Sequence, residues 1–147
     1  MKQKPILPDA VAIVSGSDAY PHLHGQVRFF ERQNCVLVQA VIRGLPDTDT
    51  GFFGFHIHAG SSCTGPDFAD TGSHYNPADA PHPLHAGDLP PLMSCHGNAY
   101  LSVATDRFNI TDIFGRTVVI HSMPDDFHTQ PAGNAGIKIA CGVILRI

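Results

Sequence analysis

In the run Val36-Leu37-Val38-Gln39-Ala40-Val41-Ile42-Arg43 the even-numbered positions are all apolar, while Gln39 and Arg43 fall on the odd side. Side chains of a strand alternate between faces, so this pattern predicts a strand with one buried face. Short alternating or β-branched runs recur at residues 11–14, 26–30, 36–42, 53–58, 99–104, 117–121 and 138–145. Gly and Pro clusters separate them, as at Gly44-Leu45-Pro46 and Pro124-Asp125-Asp126. The 3.6-residue apolar period of a helix is nearly absent. Many short strands without helices predict an antiparallel all-β sandwich or barrel.

One stretch breaks the pattern. From Ala59 to about Met93 there is no strand character, and Gly, Pro and Asp are abundant. Loops of that length are rare unless they are functional. A loop that buries no core needs another clamp, and a metal ion or a disulfide would serve. This one carries His74, His82, His85 and Asp88, interleaved with Pro77, Pro81 and Pro83. The prolines exclude a helix, so these ligand-type residues come from a folded loop. Three histidines and a carboxylate form a closed tetrahedral set of the kind that holds structural zinc. Immediately upstream, His56 and His58 share one face of a predicted strand. Alone, that pair reads as two histidines shown to solvent. His121 closes the apolar run Thr117-Val118-Val119-Ile120 and alone reads as a satisfied strand-end residue, since metal sites are recognised from sets.

Composition narrows the choice. Ten histidines against nine lysines plus arginines is an excess of the commonest transition-metal ligand. A formal net charge of −4 argues against a general nucleic-acid binder, which needs a basic face. With 147 residues, 43% hydrophobic and 15% charged, the expectation is one globular domain over residues 1–147 and not a disordered chain. Near the N-terminus Pro8 and Asp9 interrupt the apolar residues, and a secretory core needs about 7–15 in a row. No segment approaches the roughly 20 apolar residues of a membrane span. A cytoplasmic location without a membrane partner is therefore expected.

Five ordered segments then carry a resemblance. They are Gly54-Phe55-His56-Ile57-His58, His74-Tyr75-Asn76-Pro77, His85-Ala86-Gly87-Asp88-Leu89, Gly115-Arg116-Thr117-Val118-Val119-Ile120-His121, and the run from Gly133-Asn134-Ala135-Gly136 through Lys138 and Cys141 to Ile144. Together they resemble the successive motifs of the copper/zinc superoxide dismutase family, over nearly the whole chain. The resemblance implies a Greek-key antiparallel β-sandwich or flattened barrel of about eight strands; superoxide dismutase is a standing example of that architecture. It implies dismutation of superoxide to oxygen and hydrogen peroxide. His56, His58, His74 and His121 would bind copper, and His74, His82, His85 and Asp88 would bind zinc, with His74 shared. An all-nitrogen set suits copper, whereas zinc, which does not change oxidation state, can only hold structure and tune charge. Asp125 matches the family's aspartate that hydrogen-bonds a ligand histidine on each metal. Cys63 and Cys141 match its intrasubunit disulfide. In a reducing cytosol a lasting disulfide is uncommon, so either burial protects it or the protein is exported by an unrecognised route. The catalytic roles would fall to His74, passing a proton, and to Lys138, guiding the anion.

Two departures from the family change the expectation. Lys138 stands where an arginine is usual, which keeps the charge but loses the planar fork of donors. Reduced activity and weaker anion inhibition should follow. Between Ser122 and Ala132 the chain is short and has no lysine, where longer members carry a charged steering loop. Steering, for which superoxide dismutase is a standard example, should be weaker here. The implied partners are superoxide and, as the oligomer the family allows, a homodimer. The alternative is a non-catalytic copper-handling protein on the same scaffold. Such relatives typically lack a copper ligand, and a chaperone would be expected to add a Cys-x-x-Cys domain. Cys35, Cys95 and the pair His22/His24 take no role from the family.

Overall fold

The computed structural model describes residues 5–147. Residues 1–4, part of the expected domain span and of the reading of the N-terminus, lie outside the described residues. Nine strands form among the described residues: β1 (Ala10–Gly16), β2 (His24–Arg32), β3 (Cys35–Arg43), β4 (Phe52–Phe53), β5 (Phe55–His58), β6 (Leu92–Met93), β7 (Ala99–Thr105), β8 (Thr117–His121) and β9 (Lys138–Arg146). A 3-10 segment (Pro66–Thr71) and one helical turn, α1 (Ile110–Ile113), are the helical pieces among the described residues.

Seven strands make one antiparallel sheet in the order β5-β8-β9-β1-β2-β3-β7, and β4 pairs with β6 in a small ribbon. In β3 the even positions are buried and the odd ones half-buried or, at Arg43, exposed, as the alternation predicts. The meander β1-β2-β3 is followed by a crossover to β5 at the far edge, and a second crossover joins β7 to β8. These are Greek-key connections. β4 runs into β5, while β6 packs beside β7. The ribbon thus brings the two edges of the curled sheet towards each other, giving a flattened barrel. Its centre is filled by Phe29, Ile42, Phe55, Ile57, Ile120 and Ile144, all fully buried.

Two expectations need correction. Residues 53–58 are not one strand. Gly54 donates to Met123 O and accepts from His121 N, both at 2.8 Å. A Cβ at Gly54 would lie 2.8 Å from Ala135 Cβ, so the close approach of the following loop requires glycine there. The chain breaks at that point, sending β4 to the ribbon and leaving β5 in the sheet. The long loop also ends in a strand, because Leu92 pairs with Phe53 and Met93 with Phe52.

β5 is buried on both faces. Phe55 and Ile57 enter the core, so by alternation His56 and His58 point the other way, under the loops 59–91 and 122–137.

Candidate metal centre

The long loop is laid along the free edge of β5. Tyr75 N donates to Ile57 O, and Ile57 N donates to Gly87 O, each at 2.8 Å. Isolated bridges pair His58 with His74 and His56 with Asp88. An edge strand whose backbone groups need partners thereby fixes the loop that carries four ligand-type residues. β8 pairs with the other edge of β5 and ends in His121, where its register with β9 shifts.

Two sets of side chains converge. His56, His58, His74 and His121 place their ligand atoms within 4.8 Å of one another, and so do His74, His82, His85 and Asp88. His74 belongs to both. The seven predicted ligands and Asp125 are all buried, and Lys138 is half-buried. Asp125 accepts from His56 Nε2 at 2.7 Å and from His82 Nε2 at 2.8 Å.

The hydrogen-bond partners fix which ring nitrogens carry lone pairs. Asp125 takes the Nε2 protons of His56 and His82, leaving Nδ1 of each as a lone pair without a hydrogen-bond partner. His58 Nδ1 donates to Gly72 O at 2.8 Å and His121 Nδ1 faces Gly136 O at 3.4 Å. Their two Nε2 atoms therefore point lone pairs at each other from 3.2 Å. His82 Nδ1 likewise faces Asp88 Oδ2 at 3.0 Å, and His74 Nε2 is buried without a partner. Buried, mutually repelling lone pairs are costly unless a cation sits between them. Four imidazoles fit a nitrogen-loving metal such as copper, and three imidazoles with a carboxylate fit zinc.

The electrostatics favour cation binding. Burial holds His58 down at a pKa of about 2 and His121 at about 3, the neighbouring rings adding to the effect. Burial also lowers His56 and His85. These rings stay neutral and ready to coordinate. For Asp88 and Asp125 burial acts upward, but hydrogen bonds from His74 to Asp88, and from His56 and His82 to Asp125, outweigh it and keep both carboxylates below their usual range.

An open cleft of about 350 Å³ reaches the first cluster, lined by His58, His74, His121, Pro131 and Lys138 among others. Lys138 Nζ donates to Thr71 Oγ1 at 2.8 Å and to Gly72 O at 3.0 Å. Cys63 and Cys141 are bonded, with Cα atoms 5.7 Å apart, tying the loop to β9. Cys35 and Cys95 are free. Among the described residues, His22, His24, His96 and His128 join no cluster of three ligand-type groups.

Thr71 and Gln130 carried no signal in the sequence, and Gly133, although it lies in a segment of the resemblance, took no role from it. Gln130 Oε1 accepts from His82 N at 2.9 Å and Gln130 Nε2 donates to His82 O at 2.8 Å. A Cβ at Gly133 would lie 2.1 Å from Asp125 Oδ1 and 2.6 Å from His82 Nε2. These residues act through partners far along the chain, which no local pattern reveals.

A sequence profile described as copper/zinc superoxide dismutase matches residues 23–144. The chain is 35% identical over 135 residues to superoxide dismutase [Cu-Zn] 2 of Aquifex aeolicus, covering 82% of this chain and 78% of that one. It is 30% identical over 151 residues to the copper chaperone for superoxide dismutase of Rattus norvegicus, covering 93% of this chain and 53% of that one. A solved structure of a double mutant of a SOD-like protein from Bacillus subtilis superposes with a TM-score of 0.78 at 28% identity, covering 92% of this chain and 96% of that one. Family profile, relatives and fold concur, and the chain belongs to the copper/zinc superoxide dismutase family.

Proposed function

We propose that this protein is a superoxide dismutase, with copper held by His56, His58, His74 and His121 and zinc by His74, His82, His85 and Asp88. The single observation that carries the reading is the placement of His74. Its Nδ1 lies 2.8 Å from Asp88 Oδ1 and 3.2 Å from His85 Nδ1, while its Nε2 has no hydrogen-bond partner and belongs with the other cluster. One imidazole would therefore serve two ligand sets from its two nitrogens. When bound, copper supplies a one-electron couple that can oxidise one superoxide and reduce the next, while zinc supplies fixed positive charge.

The side chains do the rest. His74 Nε2, which no hydrogen-bond partner among the described residues engages, is the nitrogen that could pass a proton to the cleft when it does not hold copper. Asp125 fixes the tautomers of His56 and His82 together, so both rings present Nδ1. Lys138 gives the cleft a positive wall for a small anion. The loops over β5 bury the ligand rings and leave the cleft as the opening to them.

A copper-handling protein is the second reading, favoured by the similarity to the rat chaperone. The two separate in one experiment. The protein reconstituted with copper and zinc is expected to hold about one of each per chain and to consume superoxide catalytically. His74→Gln should abolish turnover. Copper binding without superoxide consumption by the unmodified chain would decide for the second reading.

A further inference from the structure

Lys138 is the one lysine or arginine among the described residues lining the cleft. An ammonium has three N–H donors and accepts nothing. Two are engaged, by Thr71 Oγ1 and by Gly72 O, which leaves one for an anion in the cleft. The direction of that third N–H is set by the other two. A lysine stem is flexible and lacks the rigid fork of a guanidinium, so its orientation must be imposed from outside.

Thr71 is built to impose it. The residue is fully buried, and its hydroxyl donates to Phe68 O at 2.8 Å. Its oxygen can therefore offer only lone pairs to Lys138. The segment that carries Thr71 is tied to β9, the strand of Lys138, by the bond between Cys63 and Cys141. Lysine and anchor are thus fixed to one frame. Gly72 O also accepts from His58 Nδ1, so this acceptor is shared and Thr71 Oγ1 is the one dedicated to the ammonium among the acceptors seen here.

We infer that Thr71 is a positioning residue for anion recognition, holding the Lys138 ammonium so that a single N–H faces the cleft and binds small monoanions. The inference deepens the proposed function and rests on it for the identity of the cleft. In copper- and zinc-loaded protein, azide serves as the probe, titrated by the visible absorption of the copper. Thr71→Val and Thr71→Ala remove the acceptor and should weaken azide about three- to ten-fold, the worth of one hydrogen bond. Thr71→Ser should stay within about two-fold of the unmodified protein. In a Lys138→Met background, removing the Thr71 hydroxyl should cause no further loss, because coupled residues are non-additive.

Unchanged azide affinity in both Thr71→Val and Thr71→Ala would overturn the inference. So would an equal loss with and without Lys138, which would mark Thr71 as merely structural. The titration needs no turnover. Thr71-dependent azide binding in a protein that fails to consume superoxide would sink the proposed function and leave this inference standing. Superoxide consumption with azide binding independent of Thr71 would do the reverse.

Discussion

Asp125 hydrogen-bonds His56 and His82 at once, so one carboxylate sets the tautomer of a ring in each ligand set. Asp125→Asn keeps the shape but turns an amide N–H towards one of the two imidazole N–H groups, a donor facing a donor. Zinc affinity should fall about 10–100-fold, the usual cost of losing such a partner; competition with a chelator measures it, and an unchanged affinity would remove Asp125 from the centre. Gly133→Ala should reproduce the defect without touching a charge. Its Cβ would press on Asp125 Oδ1 and His82 Nε2, at a φ of +69° that side chains rarely adopt. At Lys138 the prediction runs the other way. Arginine at this position would add donors in a fixed fork, so Lys138→Arg should raise both the rate with superoxide and the affinity for inhibitory anions, by about two- to ten-fold if one more hydrogen bond forms. Kinetics and anion titrations in which neither rises would show that the ammonium already does all that the cleft allows.

The loops, more than the strands, decide how rigid the centre is. Loop 122–137 grips His82 at three points: Asp125 on the ring, and the two ends of the Gln130 amide on the backbone N–H and C=O. Gln130→Ala removes two hydrogen bonds and should cost about 1–3 kcal/mol of stability. Gln130→Glu keeps the acceptor for His82 N but sets a second acceptor against His82 O, so it should release zinc to a chelator faster than the unmodified protein. A release rate equal to that of the unmodified chain would show the clasp to be incidental. The other loop is closed by a disulfide across a separation of 78 residues, for which chain entropy allows about 4.5 kcal/mol as an upper bound. These elements also mark what a sequence can disclose. His56, His58 and the alternating β3 were readable because a strand imposes a period of two and coordination accepts few residue types. The break at Gly54 was not readable, since it depends on Ala135 lying against it from a distant loop. Gln130 and Thr71 are ordinary polar residues whose roles come from acceptors and donors brought up by the fold. Two-residue strands such as β4 and β6 are too short to leave a periodic trace.

Across the whole molecule, the same buried rings that await a cation make the metal-free fold sensitive to acid. His58 and His121 are held at about 2 and about 3 by burial, against an ordinary value of 6.5. Between those limits the unfolded chain binds protons that the folded one refuses, so stability is present above about 6.5 and drains away as pH falls towards 3. The urea midpoint of the metal-free protein should therefore be clearly lower at pH 4.5 than at pH 7, and equal midpoints would contradict the buried neutral rings. Loaded protein should resist until protons displace the metals from their ligands. Long-range electrostatics give the last expectation. The chain's formal net charge is −4, which bound copper and zinc would offset only in part, so distant groups weakly repel an anion while Lys138 and the metals attract it at the cleft. Residues 122–132 contain no lysine to extend that local field. Raising salt to 0.15 M shortens the Debye length to about 8 Å and screens the distant repulsion and the local attraction together. The two losses oppose each other. The rate constant with superoxide should therefore change by less than about two-fold between low salt and 0.15 M, unlike an enzyme steered by a charged loop, whose rate falls steeply. A steep fall would mean that positive potential reaches the cleft from groups other than Lys138 and the metals.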